Sequence, residues 1–161
     1  MANHIVKCPP SYSLCTGCRS CEMLCAIMQD RVVSPSCNRL FVVQGPTNRQ
    51  TYTVYTCAQC DDHPCYEACP FPDRAMKIDE NGIVYIDEAY CIGCGKCRSA
   101  CKLHPARINL VKSKDKAKRK AKKCDLCRTR EEGPVCVQYC PAKCLEVNDK
   151  PLPWGEEEEV R

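Results

Sequence analysis

The hydrophobic residues of this chain fall mostly into short runs in which apolar and polar positions alternate, a pattern typical of β-strands. An Asn-Gly pair at residues 81–82 separates two such runs, residues 75–79 and 83–87, and this pair is a strong turn signal for a β-hairpin. A second hairpin is predicted to join residues 40–43 to residues 52–56 across a loop that contains glycine, proline and asparagine.

One more strand pair and several short helices complete the predicted secondary structure. Residues 108–111 and 145–147 are rich in β-formers and are predicted to pair. Short helices are predicted around residues 22–28 and 135–139, each following the third member of a set of cysteines. Together these elements predict a small α+β fold.

The chain carries no visible targeting or membrane signal. No apolar run approaches the roughly 20 residues that a helix needs to cross a bilayer, so direct membrane insertion is not expected. The N-terminal segment has neither an uninterrupted apolar region nor a small-residue cleavage site. A cytoplasmic location is therefore predicted, and export bound to a partner that carries the signal stays open.

Cysteine is the unusual feature of the composition, with 19 of the 161 residues. A cysteine content above about 8–10% indicates disulfides or bound metal as an additional source of cohesion. Disulfides fit poorly because the number of cysteines is odd and because a reducing compartment keeps thiols free. Bound metal is the better explanation.

Sixteen of the 19 cysteines form four regularly spaced sets. The first and third sets have the spacing C-x2-C-x2-C-x3-C, whereas the second and fourth have a wider gap before the third cysteine and are followed by proline. The sets are Cys15, Cys18, Cys21 and Cys25; Cys57, Cys60, Cys65 and Cys69; Cys91, Cys94, Cys97 and Cys101; and Cys124, Cys127, Cys136 and Cys140. The remaining three, Cys8, Cys37 and Cys144, are interpreted as buried small hydrophobic residues.

The spacing of the first and third sets is that of two-cluster ferredoxins. In those proteins three closely spaced thiolates bind one 4Fe–4S cluster, and the fourth cysteine binds the other cluster of the pair. Zinc is the alternative, but zinc sites commonly separate two C-x2-C pairs by about a dozen residues or more, and these sets contain no such spacer. The sequence therefore predicts sixteen thiolate ligands and four 4Fe–4S clusters.

Most of the chain resembles a known family of iron–sulfur subunits. The matching stretches are CAQCDDHPCYEACP, GIVYIDEAYCIGCGKCRSAC and KKCDLCRTREEGPVCVQYCP. They resemble the four-cluster, ferredoxin-like beta-type subunits of molybdenum- or tungsten-pterin oxidoreductases, and the compact length favours the tungsten aldehyde oxidoreductase or benzoyl-CoA reductase type. The resemblance implies two intertwined bacterial-ferredoxin-like modules in a single polyferredoxin-like unit, residues 1–161. Residues 8–37 and 120–148 would form the outer module, residues 52–111 the inner module, and residues 149–161 a tail.

The resemblance also implies how the ligands are grouped, because the last cysteine of each set crosses to the cluster of a partner set. Four groups follow, each named after its first cysteine. They are the Cys15 group (Cys15, Cys18, Cys21 and Cys140), the Cys124 group (Cys124, Cys127, Cys136 and Cys25), the Cys57 group (Cys57, Cys60, Cys65 and Cys101) and the Cys91 group (Cys91, Cys94, Cys97 and Cys69).

The implied function is electron transfer. The partner would be a larger catalytic redox subunit with a tungsten or molybdenum pterin, and a flavin subunit or soluble ferredoxin would be the external donor or acceptor. No catalytic residue is expected, and the C-x3-C-x2-C triplet of radical S-adenosylmethionine enzymes does not occur. The alternatives are a free-standing polyferredoxin and the iron–sulfur subunit of a hydrogenase or formate dehydrogenase complex.

The charge distribution does not indicate nucleic-acid binding. The formal net charge of +4 counts every thiol as neutral, and no aromatic platform accompanies the basic residues 112–123. That stretch is interpreted as a solvated connector, with docking of an acidic partner as the alternative. Several cations beside cysteines are expected either to favour reduced clusters or to be ordinary solvated charges: Lys96, Arg98, Lys102, Lys122, Lys123 and Arg128.

Overall fold

The computed structural model describes residues 4–7, 15–45, 52–112 and 119–148. Within these ranges short helices separate successive pairs of short strands, with one strand at each end. In chain order they are β1 (His4–Lys7), α1 (Ser20–Asp30), β2 (Phe41–Gln44), β3 (Tyr52–Tyr55), α2 (Pro64–Glu67), β4 (Met76–Ile78), β5 (Val84–Ile86), α3 (Lys96–Ser99), β6 (Ile108–Lys112), β7 (Arg119–Lys123), α4 (Val135–Gln138) and β8 (Leu145–Asn148).

The strands of the described residues pair into antiparallel two-stranded sheets, namely β1 with β8, β2 with β3, β4 with β5 and β6 with β7. The hairpin predicted at residues 81–82 is confirmed, with Ile78 opposite Val84. The Asp79 carboxylate accepts hydrogen bonds from the backbone N–H groups of Asn81 and Ile83, at 3.0 and 2.9 Å, and so stabilises the turn.

The second predicted hairpin is also confirmed, since β2 and β3 pair with Phe41 opposite Tyr55. Pro46 and Asn48, which belong to its predicted loop, lie outside the described residues. The rings of Phe41 and Tyr55 are 5.6 Å apart between centroids, and this cross-strand aromatic contact adds to the stability of the pair.

The predicted pairing of residues 108–111 with residues 145–147 is wrong. β6 pairs instead with β7, from Ile108 opposite Lys123 to Lys112 opposite Arg119, and β8 pairs with β1. A partner near in sequence is favoured because closing a short loop loses less chain entropy. The sequence of β7, RKAKK, has little β-propensity and therefore concealed this nearer partner.

The interpretation of residues 112–123 as a solvated connector is corrected by the same strand. Ala121, Lys122 and Lys123 of β7 are buried rather than solvated. Residues 113–118 lie outside the described ranges. At least the last part of the basic stretch is therefore a structural element next to the fourth set of cysteines.

Each helix begins one residue before the third cysteine of a set, so that Cys21, Cys65, Cys97 and Cys136 are the second residues of α1, α2, α3 and α4. The helices predicted at residues 22–28 and 135–139 are confirmed, although α1 extends further at both ends. Among the residues that the structure describes, no helix combines the length and apolar character needed to cross a membrane.

Two clusters of buried side chains form the core, and cysteines belong to both. The first cluster joins seven cysteines to Ile5, Leu40, Val42, Val54, Leu126 and Leu145. The second joins Cys97, and the half-buried Cys65, Cys69 and Cys91, to Met76, Val84, Ile108 and Ala121. Cysteine side chains thus occupy many interior positions that aliphatic residues fill in an ordinary domain.

Candidate metal centres

The loops that carry the four sets of cysteines share one backbone feature. In each set the second of the two residues between the first and second cysteines has a left-handed backbone conformation. These residues are Gly17, Gln59, Gly93 and Leu126, with φ values of 70°, 46°, 68° and 56°. The recurrence indicates that the four loops turn in the same way around whatever their cysteines surround.

At two of these positions an added side chain would meet close neighbours, so glycine there avoids a clash as well as the strain of a positive φ. A Cβ atom added to Gly93 would lie 2.1 Å from the backbone oxygen of Arg119. A Cβ atom added to Gly17 would lie 2.4 Å from a ring carbon of Tyr52. β7 and β3 therefore pack directly against the loops of the third and first sets.

Three cavities are each lined by four cysteines of the predicted groups. One is lined by the Cys15 group, one by the Cys57 group and one by the Cys91 group. In each cavity three cysteines of one set meet the last cysteine of a different set. Much of the remaining lining is apolar and includes Val42 and Val54 in the first cavity, Ile108 in the second and Met76 in the third.

The Cys124 group lines none of these cavities as a set, but the charges of its thiols interact. The pKa of Cys25 is raised to about 11, mainly by burial and to a smaller extent by the negative charge of Cys127, against a lowering effect of Arg39. Burial is also the main reason why the pKa of Cys136 is raised, followed by the charges of Cys25 and Cys127. The pKa of Cys124 is raised by burial and then by Cys136 and Cys25.

The buried thiols of the other groups behave in the same way. Burial raises the pKa of Cys97 to about 12, with Cys65 and Cys91 as the next causes. Burial likewise raises the pKa of Cys21 to about 12, and Glu22 adds to the effect. Soft sulfur donors that crowd one apolar space and oppose each other's ionisation need a cation to hold them as thiolates.

The donor set therefore fits 4Fe–4S clusters, which are bound by four cysteine thiolates each. Within the described ranges no three His, Cys, Asp or Glu side chains converge closely enough for a single metal ion. The cysteines of each cavity instead surround a space between them, and a cubane offers its four ligands separate iron corners.

Backbone N–H groups point at several of the cysteine sulfurs among the described residues, and four of these hydrogen bonds have the same length. The donors are the N–H groups of Gln59, Arg107, Ala121 and Cys144, and the acceptors are the Sγ atoms of Cys57, Cys101, Cys91 and Cys140, each at 3.4 Å. Hydrogen bonds of this kind stabilise negative charge on cluster ligands and are one of the means by which a protein sets a cluster's potential.

Most of the basic residues singled out in the sequence do not contact a cysteine sulfur. Lys96, Arg98, Lys102 and Arg128 are exposed, and Lys102 pairs with Asp62 at the surface. Lys122 is buried but forms ion pairs with Asp30 and Glu88, which also pair with Arg39. These four charges connect α1 to β7.

Lys123, the last residue of β7, is the exception. Its side chain is buried, and Nζ lies 3.1 Å from Cys57 Sγ and 2.9 Å from both Gln59 Oε1 and the backbone oxygen of Val84. Burial lowers its pKa, but the negative charges of Cys57 and Cys65 outweigh that effect and leave the pKa raised. Its place in a run of lysines gave no sign of this environment.

Gln59 is a second residue that sequence reasoning missed. Its side-chain amide donates to the backbone oxygens of Val84 and Cys124, at 3.3 and 2.9 Å, and its Oε1 accepts from the Val84 N–H at 3.1 Å. It therefore joins the loop of the second set to β5 and to the fourth set. No local signal in the sequence indicates these contacts.

The cysteines outside the four sets differ from one another. Cys144 is buried, as predicted, and its Sγ lies 3.5 Å from Cys140 Sγ at the edge of the cavity of the Cys15 group. Cys37 is only half-buried, which corrects its interpretation as a core residue. Cys8 lies outside the described residues.

Comparison with known proteins gives a family and several relatives. Residues 48–150 match the family model of the 4Fe–4S dicluster domain. The chain is 37% identical over 142 residues to a putative electron transport protein, YsaA, of Escherichia coli strain K12, with 84% of each chain covered. It is 35% identical over 156 residues to the electron transport protein HydN of the same strain, with 86% of this chain and 85% of HydN covered.

An oxidoreductase subunit and a solved structure are also similar. One subunit of the anaerobic dimethyl sulfoxide reductase of E. coli strain K12 is 32% identical over 148 residues, with 83% of this chain and 68% of that subunit covered. A chain of the active-site complex BamBC of benzoyl-CoA reductase, solved with benzoyl-CoA, aligns with a TM-score of 0.47 and 22% identity over 91% of this chain and 79% of that one.

The class of protein follows from the family match and the cysteine sites together. The chain belongs to the 4Fe–4S dicluster domain family. It is an iron–sulfur electron-transfer protein and not an enzyme in its own right, in agreement with relatives that are named electron transport proteins.

Proposed function

We propose that this chain is the electron-transfer subunit of an oxidoreductase complex and that it carries four 4Fe–4S clusters. The observation that carries the proposal is that cysteines distant in sequence meet around common cavities, four at each, in the Cys15, Cys57 and Cys91 groups. The mutual charge interactions of Cys25, Cys124, Cys127 and Cys136 support a fourth cluster in the Cys124 group.

In this proposal all sixteen cysteines of the four groups are ligands. When bound, the clusters supply one-electron redox centres. The chain holds them through its thiolates, and N–H donors such as those of Gln59 and Ala121 stabilise the negative charge on the sulfurs. Apolar side chains such as Met76 and Ile108 keep water away from the cavities.

We also assign the clusters to two intertwined ferredoxin-like modules, an outer one of residues 8–37 and 120–148 and an inner one of residues 52–111. The packing of α1 against α4 supports the outer module, and the packing of α2 against α3 supports the inner one. β7 belongs to the outer module by sequence but pairs with β6 of the inner module, and this pairing would tie the two together.

The partner in this proposal is a larger catalytic redox subunit with a tungsten or molybdenum pterin, in the cytoplasm, and a flavin subunit or soluble ferredoxin completes the path. Similarity to one subunit of a dimethyl sulfoxide reductase supports a catalytic partner. The alternative is a free-standing polyferredoxin. This chain is similar over most of its length to relatives that are named only as electron transport proteins, and this similarity favours the alternative.

The first test is metal analysis of protein purified without oxygen. We expect about 16 iron atoms and about 16 acid-labile sulfides per chain. Zinc with little sulfide would refute the electron-transfer function, and about 8 of each would reduce the clusters to two. Co-purification with a large tungsten- or molybdenum-containing chain would identify the subunit role, whereas isolation of the chain alone from its native cells would support the polyferredoxin.

Ligand variants test the grouping. Cys60→Ser and Cys101→Ser alter members of different sets that line the same cavity, so both are expected to change the same electron paramagnetic resonance (EPR) signal. Cys94→Ser is expected to change a different signal, and Cys37→Ser, the matched control, to change none. If Cys60→Ser and Cys101→Ser changed two different EPR signals, the crossed grouping would be contradicted.

A further inference from the structure

The hydrogen-bond partners of Lys123 identify the state of its side chain. Nζ lies within hydrogen-bond distance of Cys57 Sγ, Gln59 Oε1 and the backbone oxygens of Val84 and Cys124. The three oxygens can only accept, and a metal-bound thiolate can only accept as well. A neutral amine would direct its lone pair at one of these acceptors, so the site is built for an ammonium group that donates.

The ammonium is placed where its charge is weakly screened. Lys123 is 3% exposed, and within the described ranges no Asp or Glu oxygen lies within ion-pair distance of Nζ. By contrast, the side chain of Lys102, which follows Cys101 of the same group, is 64% exposed and paired with Asp62. A buried charge acts on its neighbours much more strongly than an exposed, paired one.

We infer that Lys123 sets the reduction potential of one centre, the cluster of the Cys57 group, and raises it relative to the same site without the cation. The inference rests on the proposed function, because it requires a cluster at that site. Adding an electron makes a thiolate-bound cluster more negative, and a fixed ammonium 3.1 Å from Cys57 Sγ stabilises that added charge.

The contacts of Nζ identify which centre is affected. Nζ contacts a sulfur of the Cys57 group but only a backbone oxygen of Cys124, so the effect on the Cys124 group is weaker. The Cys15 and Cys91 groups provide none of the hydrogen-bond partners that Nζ has among the described residues. Lys123 therefore acts on one centre through its charge beside the Cys57 thiolate. It makes that centre a better electron acceptor than the cysteine ligands alone would make it.

The test is an EPR-monitored redox titration of the full-length holoprotein, with iron and sulfide measured on each sample. Lys123→Gln is expected to lower one midpoint potential by at least about 59 mV, which corresponds to a tenfold change in the one-electron equilibrium constant. That potential belongs to the signal that Cys60→Ser alters. Lys123→Arg, which keeps the cation, is expected to preserve most of the potential, and Lys112→Gln, which removes an exposed lysine at the end of β6 outside the cavity of the Cys57 group, to leave it unchanged.

A second variant tests the inference in case Lys123→Gln does not assemble its clusters. Gln59→Glu puts a carboxylate beside the retained ammonium and is expected to lower the same potential. Four clusters with unchanged potentials in either variant would overturn the inference. Loss of the cluster from both variants would overturn it too, because the contact between Lys123 and Gln59 would then serve assembly of the site. Wild-type protein without the four clusters would instead refute the proposed function.

Discussion

At the scale of single residues, the left-handed position between paired cysteines is filled in different ways. A non-glycine residue in this conformation costs roughly 1–2 kcal/mol. Gln59 offsets the cost with side-chain hydrogen bonds to Val84, Cys124 and Lys123. Leu126 offsets it by burial in the first core cluster. At Gly93 neither solution is available, because the backbone of Arg119 occupies the space of a side chain.

Gly93→Ala is therefore expected to damage the Cys91 group. Its Cβ would clash with a backbone oxygen of β7, which cannot move without disturbing the β6–β7 pair. Gly133→Ala is the matched control, since Gly133 also has a positive φ, of 76°, but its Cβ would meet nothing within 4 Å. We expect Gly93→Ala to lose about 4 iron atoms per chain and Gly133→Ala to lose none. Equal iron contents would contradict the role given to the contact.

The cysteines that line the cavities could be predicted because ligand spacing is a local property of the sequence. The environment of Lys123 could not, because its partners come from residues 57–59, 84 and 124 and are assembled only by the fold. Its neighbours in the sequence are also basic, and a run of lysines normally indicates a solvated surface.

At the scale of elements, the hairpins that carry a local turn signal were predictable and the others were not. β4 and β5 flank an Asn-Gly turn, whereas β7 consists mainly of lysine and arginine. β7 forms a strand because tertiary contacts override its propensity: Ala121 is buried, and its N–H donates to Cys91 Sγ. The strand therefore positions a predicted ligand as well as a neighbouring chain segment.

Ala121→Asp tests the importance of β7. Ala121 is 2% exposed in the second core cluster, and an unpaired carboxylate there is expected to cost about 3–5 kcal/mol. Val43→Asp makes the matched change at a strand position that is 41% exposed and is expected to have little effect. The measurement is the midpoint of guanidinium unfolding of the holoprotein without oxygen. Similar midpoints for both variants would show that β7 contributes little to the fold.

At the scale of the whole molecule, the sequence indicated the α+β class and the helix beside each third cysteine, but not how the ends of the chain meet. β1 pairs with β8, with Ile5 opposite Val147, and Ile5 is buried in the first core cluster. Such a pair has no local signal because its strands lie far apart in the sequence. The first cluster contains cysteines of the first, second and fourth sets and extends from Ile5 to Leu145, so it draws on distant parts of the chain.

Removal of the clusters is therefore expected to unfold the protein. The apolar side chains between the cavities are few, and without iron the crowded thiols of the Cys15 and Cys57 groups would surround empty space, which a close-packed interior does not tolerate. We expect an iron chelator, added without oxygen, to abolish the cooperative thermal transition and most protection of backbone amides against hydrogen exchange. Reconstitution with iron and sulfide should restore both, which distinguishes loss of the clusters from irreversible damage. An apoprotein that kept protected amides in β4–β5 and β6–β7 would instead mean that these hairpins fold without the metal, and that the clusters stabilise only the first core.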